Sequence, residues 1–486
     1  MTQTAINKNT RIGFVVDHRL VFEPLGIMQL SAILKNAGYT VRLFEKSSDI
    51  IAKIGAYQPH ILCYSVITSS EQSYFDLNAR LKSYFPSIIS IFGGPYPTFN
   101  QDFFEDRLDI DALCVGEGDH ALLDFVTAFE KKSDFYHTQN FHVRHNGAVI
   151  KNKMGNLVED LDALPAVDRE LIYGENVFLR NNSVKRFYVS RGCAFDCSFC
   201  FNHAYKALYQ GKGHMCRERS VESVLSEIGH VKEKYLLECV KFIDDMISPR
   251  FWREFLPSYK KRIGLPFSCL MRPNIIASHP DIAALMKEAG CLYVAMGIES
   301  ANDYIRNVIL ERNIERSDIE KAVSVLKGHN IGIMTLNMVG NPEETFAMAL
   351  ETLDMNRALR VDFAGCALFQ PYKGTRLYDY ALTKGYIDKT NTQGASLFNT
   401  SLLRFASLKE KRMIENLQKF FTFVCRNPSF CSFVVRALLP LPSNIFFNVF
   451  NRMYEYYVLS KMYKLRFSLR HLFRFVKNYL TFFQKA

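Results

Sequence analysis

The sequence lacks the features of a membrane-spanning or secreted protein. No uncharged apolar run reaches the ~18 residues that a transmembrane helix needs, and the first residues, MTQTAINKNTRIGF, contain no apolar signal-peptide core. The hydrophobic and charged fractions, 48% and 22%, are those of a globular protein, which excludes a disordered chain. We therefore expect a cytoplasmic protein, and 486 residues are enough for two or three domains.

The sequence also lacks the pattern of a disulfide framework or a structural zinc site. Twelve cysteines in a chain of this size do not suggest a set of disulfides, and a second CxxC pair, which structural zinc commonly uses, is missing. Several cysteines lie in apolar strand-like runs, where a thiol acts as a small hydrophobic group. These are Cys63, Cys114, Cys239, Cys291 and Cys366.

The loop SRGCAFDCSFCFN concentrates the remaining cysteine chemistry in Cys193, Cys197 and Cys200. An all-protein [4Fe–4S] cubane takes four thiolates, so a cluster held by three leaves one iron free to bind another ligand. Zinc is the less suitable metal, because its structural sites take four protein ligands. The CxxxCxxC spacing, with the aromatic residue Phe199 before the last cysteine, resembles the signature of the radical S-adenosylmethionine (SAM) superfamily.

The N-terminal part alternates short apolar strands with helical periods. RIGFVV is followed by a helix from about Leu25 to Ala37, closed by Gly38, and then by TVRLFE, HILCYSV, SIISIFGG and IDALCV. This alternation predicts an α/β domain with an open, doubly wound parallel sheet, in which ligands bind at the carboxyl ends of the strands.

Two of these strand ends are rich in glycine, and the helix beginning near Asp119 offers free amide donors. Glycines alone would also suit tight strand-to-helix turns. Combined with the segment PLGIMQLSAILKNAGYTV and the cysteine loop, however, the GGPYPT and VGEGDHALL turns resemble the cobalamin-binding domain of class B radical SAM enzymes. The resemblance implies cobalamin contacts from Gly93, Gly94, Thr98, Gly116, Glu117 and Gly118.

The sequence departs from one cobalamin motif. Domains that ligate cobalt through histidine carry DxHxxG, whereas here Asp17 and His18 are adjacent and Gly26 lies too far along the chain. We therefore interpret His18 as a loop residue and do not expect a histidine ligand to cobalt.

From about Arg186 the strand and helix alternation resumes in six longer units, RFYVS, CVKFIDD, PFSCLMRP, CLYVAMGIES, IGIMTLNMVG and VDFAGCALFQP. They predict a (βα)6 partial barrel with its chemistry at the strand C-termini. In the superfamily these strand ends contact the methionine amino group, the carboxylate and ribose, and the adenine. The resemblance implies SAM contacts from Phe199, Asp244, Asp245, Arg272, Glu299, Ser300 and Gly340.

Alternatives remain for these strand-end residues. The acids could cap the following helices, and Arg272 could simply pair with Glu299. Asp244 and Asp245 also stand where other family members often have a glycine-glycine-glutamate. The sixth unit resembles the family's P-x-PGT stretch, with Lys373 where proline is usual, and we expect it to cover the open edge of the barrel and line the substrate pocket. The sequence identifies no general base.

The C-terminal segment is basic and aromatic. After Glu415 the only acidic residue is Glu455, and cations recur to the end among Phe, Tyr and Leu. Near-helical spacing is seen at Arg466, Arg470, Arg474 and Lys477. Three interpretations remain open: a core-packing helical extension, an amphipathic membrane-surface anchor, and an RNA-binding face. Core packing is the default, and the absence of an RNA-module signature disfavours nucleic acid.

The predicted organisation has four segments: a cobalamin-binding-like domain (8–140), a hairpin turning at Asn146 and Gly147 with a linker (141–178), a radical SAM barrel (179–403), and a helical extension (404–486). The resemblance implies a [4Fe–4S] cluster, SAM and cobalamin as cofactors. It also implies an external one-electron reductant and a small-molecule substrate. A hydrophobic or lipid-like substrate would be consistent with the basic, aromatic C-terminal segment.

The reaction implied by the resemblance is reductive cleavage of SAM to a 5′-deoxyadenosyl radical, followed by methylation of an unactivated carbon. A radical cyclase or rearrangement enzyme of the anaerobic protoporphyrin ester cyclase type is an alternative. A tRNA methylthiotransferase would need three cluster cysteines in the N-terminal domain, where Cys63 and Cys114 are too few. A non-catalytic cobalamin- or redox-binding protein is a further alternative, which the intact cysteine loop disfavours.

Overall fold

The structure is a computed structural model that describes residues 8–16, 22–68, 70–388 and 400–463. The chain forms two compact units. The first comprises Met1–Lys185, Ala204–Ser223 and His230–Leu237, and the second comprises Arg186–His203, Val224–Gly229 and Glu238–Ala486. The four segment boundaries expected from the sequence stay predictions.

Seven strands form the sheet of the first unit: β1 Arg11–Val16, β2 Thr40–Glu45, β3 Ile61–Ser65, β4 Ile89–Gly93, β5 Ala112–Cys114, β6 Phe141–His145 and β7 Ala148–Lys151. Their order is β2-β1-β3-β4-β5-β6-β7. Strands β1 to β5 pair in parallel, which confirms the predicted sheet, and β6 and β7 extend it in antiparallel fashion. The β6–β7 turn places Asn146 and Gly147 at φ of 50° and 78°, as a tight two-residue hairpin requires.

Eight helices belong to this part of the chain: α1 Leu25–Asn36, α2 Ile50–Tyr57, α3 Glu71–Tyr84, α4 Pro95–Phe99, α5 Phe103–Asp106, α6 Asp119–Glu130, α7 Arg169–Tyr173 and α8 Val177–Asn181. The helix predicted from about Leu25 is confirmed as α1, and Gly38 follows it at φ 87°. Buried side chains such as Ile54, Leu62 and Phe92 form the core beside β3 and β4.

The remaining strands are β8 Val184–Phe187, β9 Ser190–Arg191, β10 Arg217–Glu218, β11 Cys239–Phe242, β12 Phe267–Leu270, β13 Cys291–Glu299, β14 Gly332–Val339 and β15 Phe363–Leu368. Six of them form the main sheet of the second unit in the order β8-β11-β12-β13-β14-β15. The order in the sheet follows the order in the chain, and β11 to β15 pair in parallel. The predicted six-stranded partial barrel is therefore confirmed.

The remaining helices are α9 Asn202–Leu208, α10 Val221–Lys234, α11 Pro249–Arg262, α12 Pro273–Ser278, α13 Asp281–Glu288, α14 Arg316–Gly328, α15 Phe346–Leu359, α16 Arg376–Thr383, α17 Leu408–Arg426, α18 Cys431–Phe433 and α19 Ile445–Met462. Short 3₁₀ helices span Leu161–Ala163 and Pro428–Phe430, and π-helical turns span Tyr304–Ile309 and Val434–Leu438.

The C-terminal helix α17 packs against the edge strand β15. The Thr422 hydroxyl donates to the Ala364 carbonyl at 2.8 Å, and the Gln418 amide donates to the Cys366 carbonyl at 3.0 Å. These side chains satisfy carbonyl groups of β15, which is the last strand of the sheet among the described residues. For α17, whose inward face is buried, the core-packing interpretation is confirmed.

Two sequence predictions fall outside the described residues. One concerns Asp17 and His18, and the other concerns the cations Arg466, Arg470, Arg474 and Lys477. Within the described ranges, none of the helices combines the length and the apolar character that crossing a bilayer requires.

Candidate active site

The cysteine loop follows the short strand β9 in the second unit. Gly192 adopts φ 86°, a left-handed conformation that suits glycine and turns the chain into the loop. Cys193 and Cys197 are buried, Cys200 is partly exposed, and all three are free thiols. The backbone N–H of Cys200 donates to the Cys197 carbonyl at 3.2 Å, which closes the loop on itself.

The surroundings of the cysteines suit a cluster of several irons. Burial raises the pKa of Cys193 and raises that of Cys200 to about 11, and the charges of the neighbouring cysteines and of Asp245 add to this effect. Among the described residues, no three His, Cys, Asp or Glu side chains form a site for a single metal ion. A cubane instead places each thiolate on a different iron, so three spaced cysteines fit a [4Fe–4S] cluster.

Two arginines approach Cys197 from different strands and loops. Arg272, which precedes α12, places Nη1 at 3.5 Å from the Cys197 Sγ atom. Arg312 places its Nη1 at 3.8 Å from the same sulfur. The sequence analysis did not identify Arg312 as a site residue. The only available signal was its position in the segment ILERNIERS, in the loop just before α14.

Glu299 at the end of β13 is the carboxylate beside these arginines. Its Oε1 atom lies 3.8 Å from Arg312 Nη1, and burial raises its pKa while the two arginines lower it. A Cβ atom on Gly297 would lie 2.8 Å from Arg312 Nη2 and would also meet the Glu299 carboxylate. Gly297 therefore leaves the space in which this ion pair forms. The alternative in which Glu299 pairs with Arg272 is not seen among the described ion pairs, where Glu299 pairs with Arg312.

Asp244 and Asp245 follow β11 but have different surroundings. Asp244 is buried and accepts backbone hydrogen bonds from Val189 at 2.7 Å and from Ser190 at 2.5 Å, so it fixes the strand that leads into the cysteine loop. Asp245 is exposed and accepts from the Asn202 amide at 3.2 Å, and the same amide lies 3.4 Å from Cys200 Sγ. Asp245 is thus the carboxylate available to a ligand beside the cysteines.

Ser300 and Gly340 are buried. The Ser300 hydroxyl lies 3.5 Å from the Thr352 hydroxyl of α15. Gly340 has φ 74°, and a Cβ atom there would lie 3.3 Å from the Ile414 side chain of α17. Both positions make internal contacts, and their roles toward SAM stay predictions, as does that of Phe199, whose ring centroid lies 6.0 Å from the guanidinium of Arg312.

The P-x-PGT-like stretch lies against the cysteine loop. The backbone N–H of Leu377 donates to the Ser198 carbonyl at 3.0 Å, and Arg376 donates to the Asp196 carbonyl. Arg376, Leu377 and Ser198 also line a cavity of about 480 Å³. Helix α17 packs on the edge strand β15 through the side-chain donors described above, and the expectation that the P-x-PGT-like stretch covers the open edge of the barrel stays a prediction.

The glycine-rich turns of the first unit follow neighbouring parallel strands, β4 and β5. Gly93, Gly94, Gly116 and Gly118 are partly exposed, although the Tyr209 side chain lies against Gly116, where a Cβ atom would overlap its hydroxyl. A flat corrin ring could approach such a backbone edge, which fits the predicted cobalamin site.

The side chains at two of the predicted cobalamin positions are occupied within the protein. The Thr98 hydroxyl donates to the Gly94 carbonyl at 2.8 Å and accepts from the Gly116 N–H at 3.1 Å. The Glu117 carboxylate pairs with the guanidinium of Arg217 at 2.7 Å. The backbone of Glu117 is engaged as well, because its N–H donates to the Tyr209 hydroxyl at 2.7 Å and its carbonyl accepts from the Asn140 amide at 2.9 Å. These roles stay predictions.

Comparison with known families identifies two domains. The radical SAM superfamily model matches residues 187–355, which include the cysteine loop and strands β11 to β14. The B12-binding domain model matches residues 14–126, which include both glycine-rich turns.

Several known proteins are similar to the chain over most of its length. It is 26% identical over 372 residues to an uncharacterized methyltransferase of Pyrococcus horikoshii, which covers 75% of this chain and 79% of that protein. It is 23% identical over 321 residues to the anaerobic magnesium-protoporphyrin IX monomethyl ester cyclase of Synechocystis sp. The aligned region covers 63% of this chain and 62% of that protein. The structure of the cobalamin-dependent S-adenosylmethionine radical enzyme OxsB, with aqua-cobalamin and S-adenosylmethionine bound, superimposes with a TM-score of 0.70 at 13% identity, covering 98% of this chain and 79% of that chain.

Proposed function

Because the chain belongs to the radical SAM enzymes that carry a B12-binding domain, we propose that it cleaves S-adenosylmethionine reductively and methylates an unactivated carbon of a small molecule. The observation that carries the proposal is the three-cysteine loop, which leaves one iron of a [4Fe–4S] cluster open for SAM. The electron comes from an external one-electron reductant.

When bound, the cluster supplies the electron that splits SAM into methionine and a 5′-deoxyadenosyl radical, and cobalamin supplies a carrier for the methyl group. The chain binds and orients these groups. The exposed carboxylate of Asp245, beside Cys193 and Cys200, suits the positively charged amino group of SAM. Arg272 and Glu299 are the proposed contacts for its carboxylate and ribose, respectively.

Three other positions act by packing. Asp244 fixes the strand before the cysteine loop through its contacts with Val189 and Ser190. Ser300 and Gly340 hold the ends of β13 and β14 against α15 and α17. In the first unit, the backbone of Gly93, Gly94, Gly116 and Gly118 is proposed to face the corrin.

The first experiment is reconstitution of the protein without oxygen, followed by incubation with hydroxocobalamin, desalting and an ultraviolet–visible spectrum. We expect stoichiometric retained corrin, and production of 5′-deoxyadenosine from SAM on reduction. Retention of no corrin would contradict the cobalamin part of the proposal and would assign the first unit to a substrate or partner.

A labelled methyl group distinguishes methyl transfer from the cyclase alternative. With SAM carrying a labelled methyl group, a methyltransferase moves the label into the product. A cyclase or rearrangement enzyme forms deoxyadenosine but leaves the label in methionine. A reduced, iron-loaded protein that forms no deoxyadenosine would favour a non-catalytic binding role.

We also propose that the C-terminal extension contacts an anionic membrane surface, where a hydrophobic or lipid-like substrate would reside. Helix α19 supports this proposal, because it buries several polar side chains and exposes several large apolar ones. Its inward face buries Asn451, Arg452 and Glu455, together with Val458 and Ser460. Its exposed face carries large apolar side chains at helical spacing, namely Phe446, Phe450, Met453 and Tyr457.

The charge of this segment suits anionic lipid. Between residues 427 and 463 the only acid is Glu455, which is buried and pairs with Arg452. Arg436 and Lys461 are exposed beside the apolar side chains. Large apolar groups flanked by cations, without exposed carboxylates, are typical of surfaces that lie on a bilayer.

Co-sedimentation with vesicles tests the membrane proposal. We expect binding to vesicles that contain phosphatidylserine, weakened by salt, and loss of binding in the double variant Phe446→Asp and Tyr457→Asp. A matched control is Leu108→Asp, which changes an apolar side chain of comparable exposure elsewhere. Equal sedimentation with and without vesicles would contradict the proposal.

A further inference from the structure

Two arginines from distant parts of the chain converge on one sulfur. Arg272 and Arg312 lie 75 and 115 positions from Cys197 in the sequence, yet their Nη1 atoms are 3.5 Å and 3.8 Å from its Sγ atom. Both residues are 8% exposed. Each is therefore a buried cation whose nearest sulfur is a member of the predicted cluster triad.

Other contacts hold both guanidinium groups in place. The guanidinium of Arg272 lies 3.5 Å from the centroid of the Phe195 ring, and its Nη2 donates to the Arg312 carbonyl at 2.5 Å. Arg312 donates to the Gly297 carbonyl and pairs with Glu299. The two groups are thus oriented toward Cys197 by the protein itself.

The three cysteines differ in their hydrogen-bond donors. Cys193 accepts from the backbone N–H of Phe195, and Cys200 accepts from the side-chain amide of Asn202. These donors are neutral. Cys197 instead faces two guanidinium groups, and hydrogen bonds from ionised donors are about twice as strong as those from neutral donors. Charged hydrogen-bond donors are therefore directed at one ligand of the triad, Cys197.

We propose that Arg272 and Arg312 raise the reduction potential of the [4Fe–4S] cluster by donating hydrogen bonds to the Cys197 thiolate. Reduction adds one electron from an external donor to the oxidised cluster and leaves the thiolate ligands in place. The cluster with its thiolates becomes more negative by one charge, and donors to sulfur stabilise that reduced form. Toward the cluster both arginines act through Cys197 as positioning residues, and Arg272 is in addition the proposed contact of the SAM carboxylate.

The test is a redox titration in the absence of SAM. Wild-type protein, Arg272→Gln and Arg312→Gln are reconstituted without oxygen and titrated with dithionite and mediators, and the electron paramagnetic resonance signal of the reduced cluster is recorded. We expect each variant to lower the equilibrium constant for reduction at least tenfold, a shift of about 59 mV to more negative potential for this one-electron couple. Arg312→Lys keeps the charge and should shift the potential less.

The matched control is Arg316→Gln. Its guanidinium is exposed and pairs with Glu320 on α14 at 3.0 Å, so the potential should not change. Unchanged potentials in Arg272→Gln and Arg312→Gln at full iron content would overturn the proposal, even if the affinity for SAM fell. Loss of iron from every Arg272 and Arg312 variant, with iron kept in the control, would also overturn it in favour of a structural role.

The inference rests on the proposed function, because it requires a cluster on the three cysteines. Its failure is distinguishable from failure of that function. A wild-type protein with no bound iron, or with no signal from a reduced cluster, contradicts the proposed function. A wild-type protein with a reducible cluster and variants of equal potential contradicts the inference alone.

Discussion

The carboxylate of Glu117 and the guanidinium of Arg217 form a two-pronged ion pair inside the first unit. Arg217 Nη2 lies 2.7 Å from Oε1, and Nη1 lies 3.1 Å from Oε2. The two side chains are 9% and 3% exposed. The same carboxylate accepts from the Val158 N–H at 3.0 Å, so it joins the turn after β5 to two later segments of the chain.

We expect Glu117→Ala to destabilise the first unit strongly. Removal of one partner leaves a buried guanidinium without its counter-ion, which costs about 3–5 kcal/mol. Urea unfolding measures this loss. The control Glu320→Ala breaks an exposed pair and should cost only about 0.3–0.5 kcal/mol. Unchanged stability with lost corrin retention would instead indicate a direct contact between Glu117 and cobalamin.

Gly297→Ala should disturb the Glu299–Arg312 pair without removing either charge. The new Cβ atom would lie 2.8 Å from Arg312 Nη2, and relief of such overlap costs about 1–3 kcal/mol. The unfolding free energy measures the cost. In the control Gly328→Ala, at the exposed end of α14, the Cβ atom meets no atom within 4 Å, so stability should stay the same or rise. Equal effects in both variants would contradict the overlap.

Asp245→Asn should weaken binding of SAM. A hydrogen bond to a charged group contributes about 1.5–3 kcal/mol, which corresponds to a rise in KM for SAM of roughly tenfold to a hundredfold. Steady-state formation of 5′-deoxyadenosine measures KM and kcat separately. Asp354→Asn, at an exposed position on α15, is the control. A fall in kcat at unchanged KM would contradict a binding role.

Glu344→Gln should change the pH dependence of stability. Burial raises the pKa of Glu344 from 4.5 to about 7, and its Oε1 atom has no hydrogen-bond partner. Between these pH values the folded state keeps a proton that the unfolded state has released. Wild-type stability therefore falls by up to about 1.4 kcal/mol per pH unit as the pH rises from 4.5 to about 7.

The Gln variant lacks this loss. Its stability relative to wild type should increase over that pH range and become constant above it, as measured by urea unfolding at several pH values. Glu320→Gln, at an exposed position, should give no such trend. A difference that does not vary with pH would mean that Glu344 is ionised throughout.

Cys197→Ala should abolish both iron binding and cleavage of SAM, because two thiolates do not replace the three that hold the cluster. Iron analysis and the yield of 5′-deoxyadenosine measure these losses. Cys216→Ala, which changes an exposed cysteine outside the triad, should retain both. Unchanged deoxyadenosine production in Cys197→Ala would falsify the assignment to radical SAM chemistry.

Local sequence patterns predicted the elements that depend on neighbouring residues. The helix that begins at Leu25, the turn at Asn146 and Gly147, and the six strands of the second unit follow from apolar period and turn chemistry. The cysteine spacing lies within eight residues, so the sequence displays it directly. Strand-end location also placed Arg272 and Asp245 beside the cysteine loop.

The sequence could not predict contacts that join distant positions. Nothing near Arg312 indicates that it approaches Cys197, and nothing near Glu117 names Arg217, 100 residues away. The sequence also could not predict that α19 exposes Phe446, because the apolar period alone assigns the phenylalanines to the interior. In the structure Arg452 and Glu455 are buried and Phe446 is exposed, while Phe447 contacts Phe420 of α17.

The sequence by itself determined the two α/β units and the spacing of the three cysteines predicted to hold the cluster, because hydrophobic period and cysteine spacing act over a few residues. The tertiary structure decided which charged side chains approach those cysteines. It also decided which of the predicted site residues form hydrogen bonds or ion pairs within the protein. Asp244 and Asp245 illustrate the difference: they are adjacent in the chain, yet one is buried beneath the loop and the other is exposed beside it. Successive residues of an extended segment point to opposite sides, and only packing decides which side is the core.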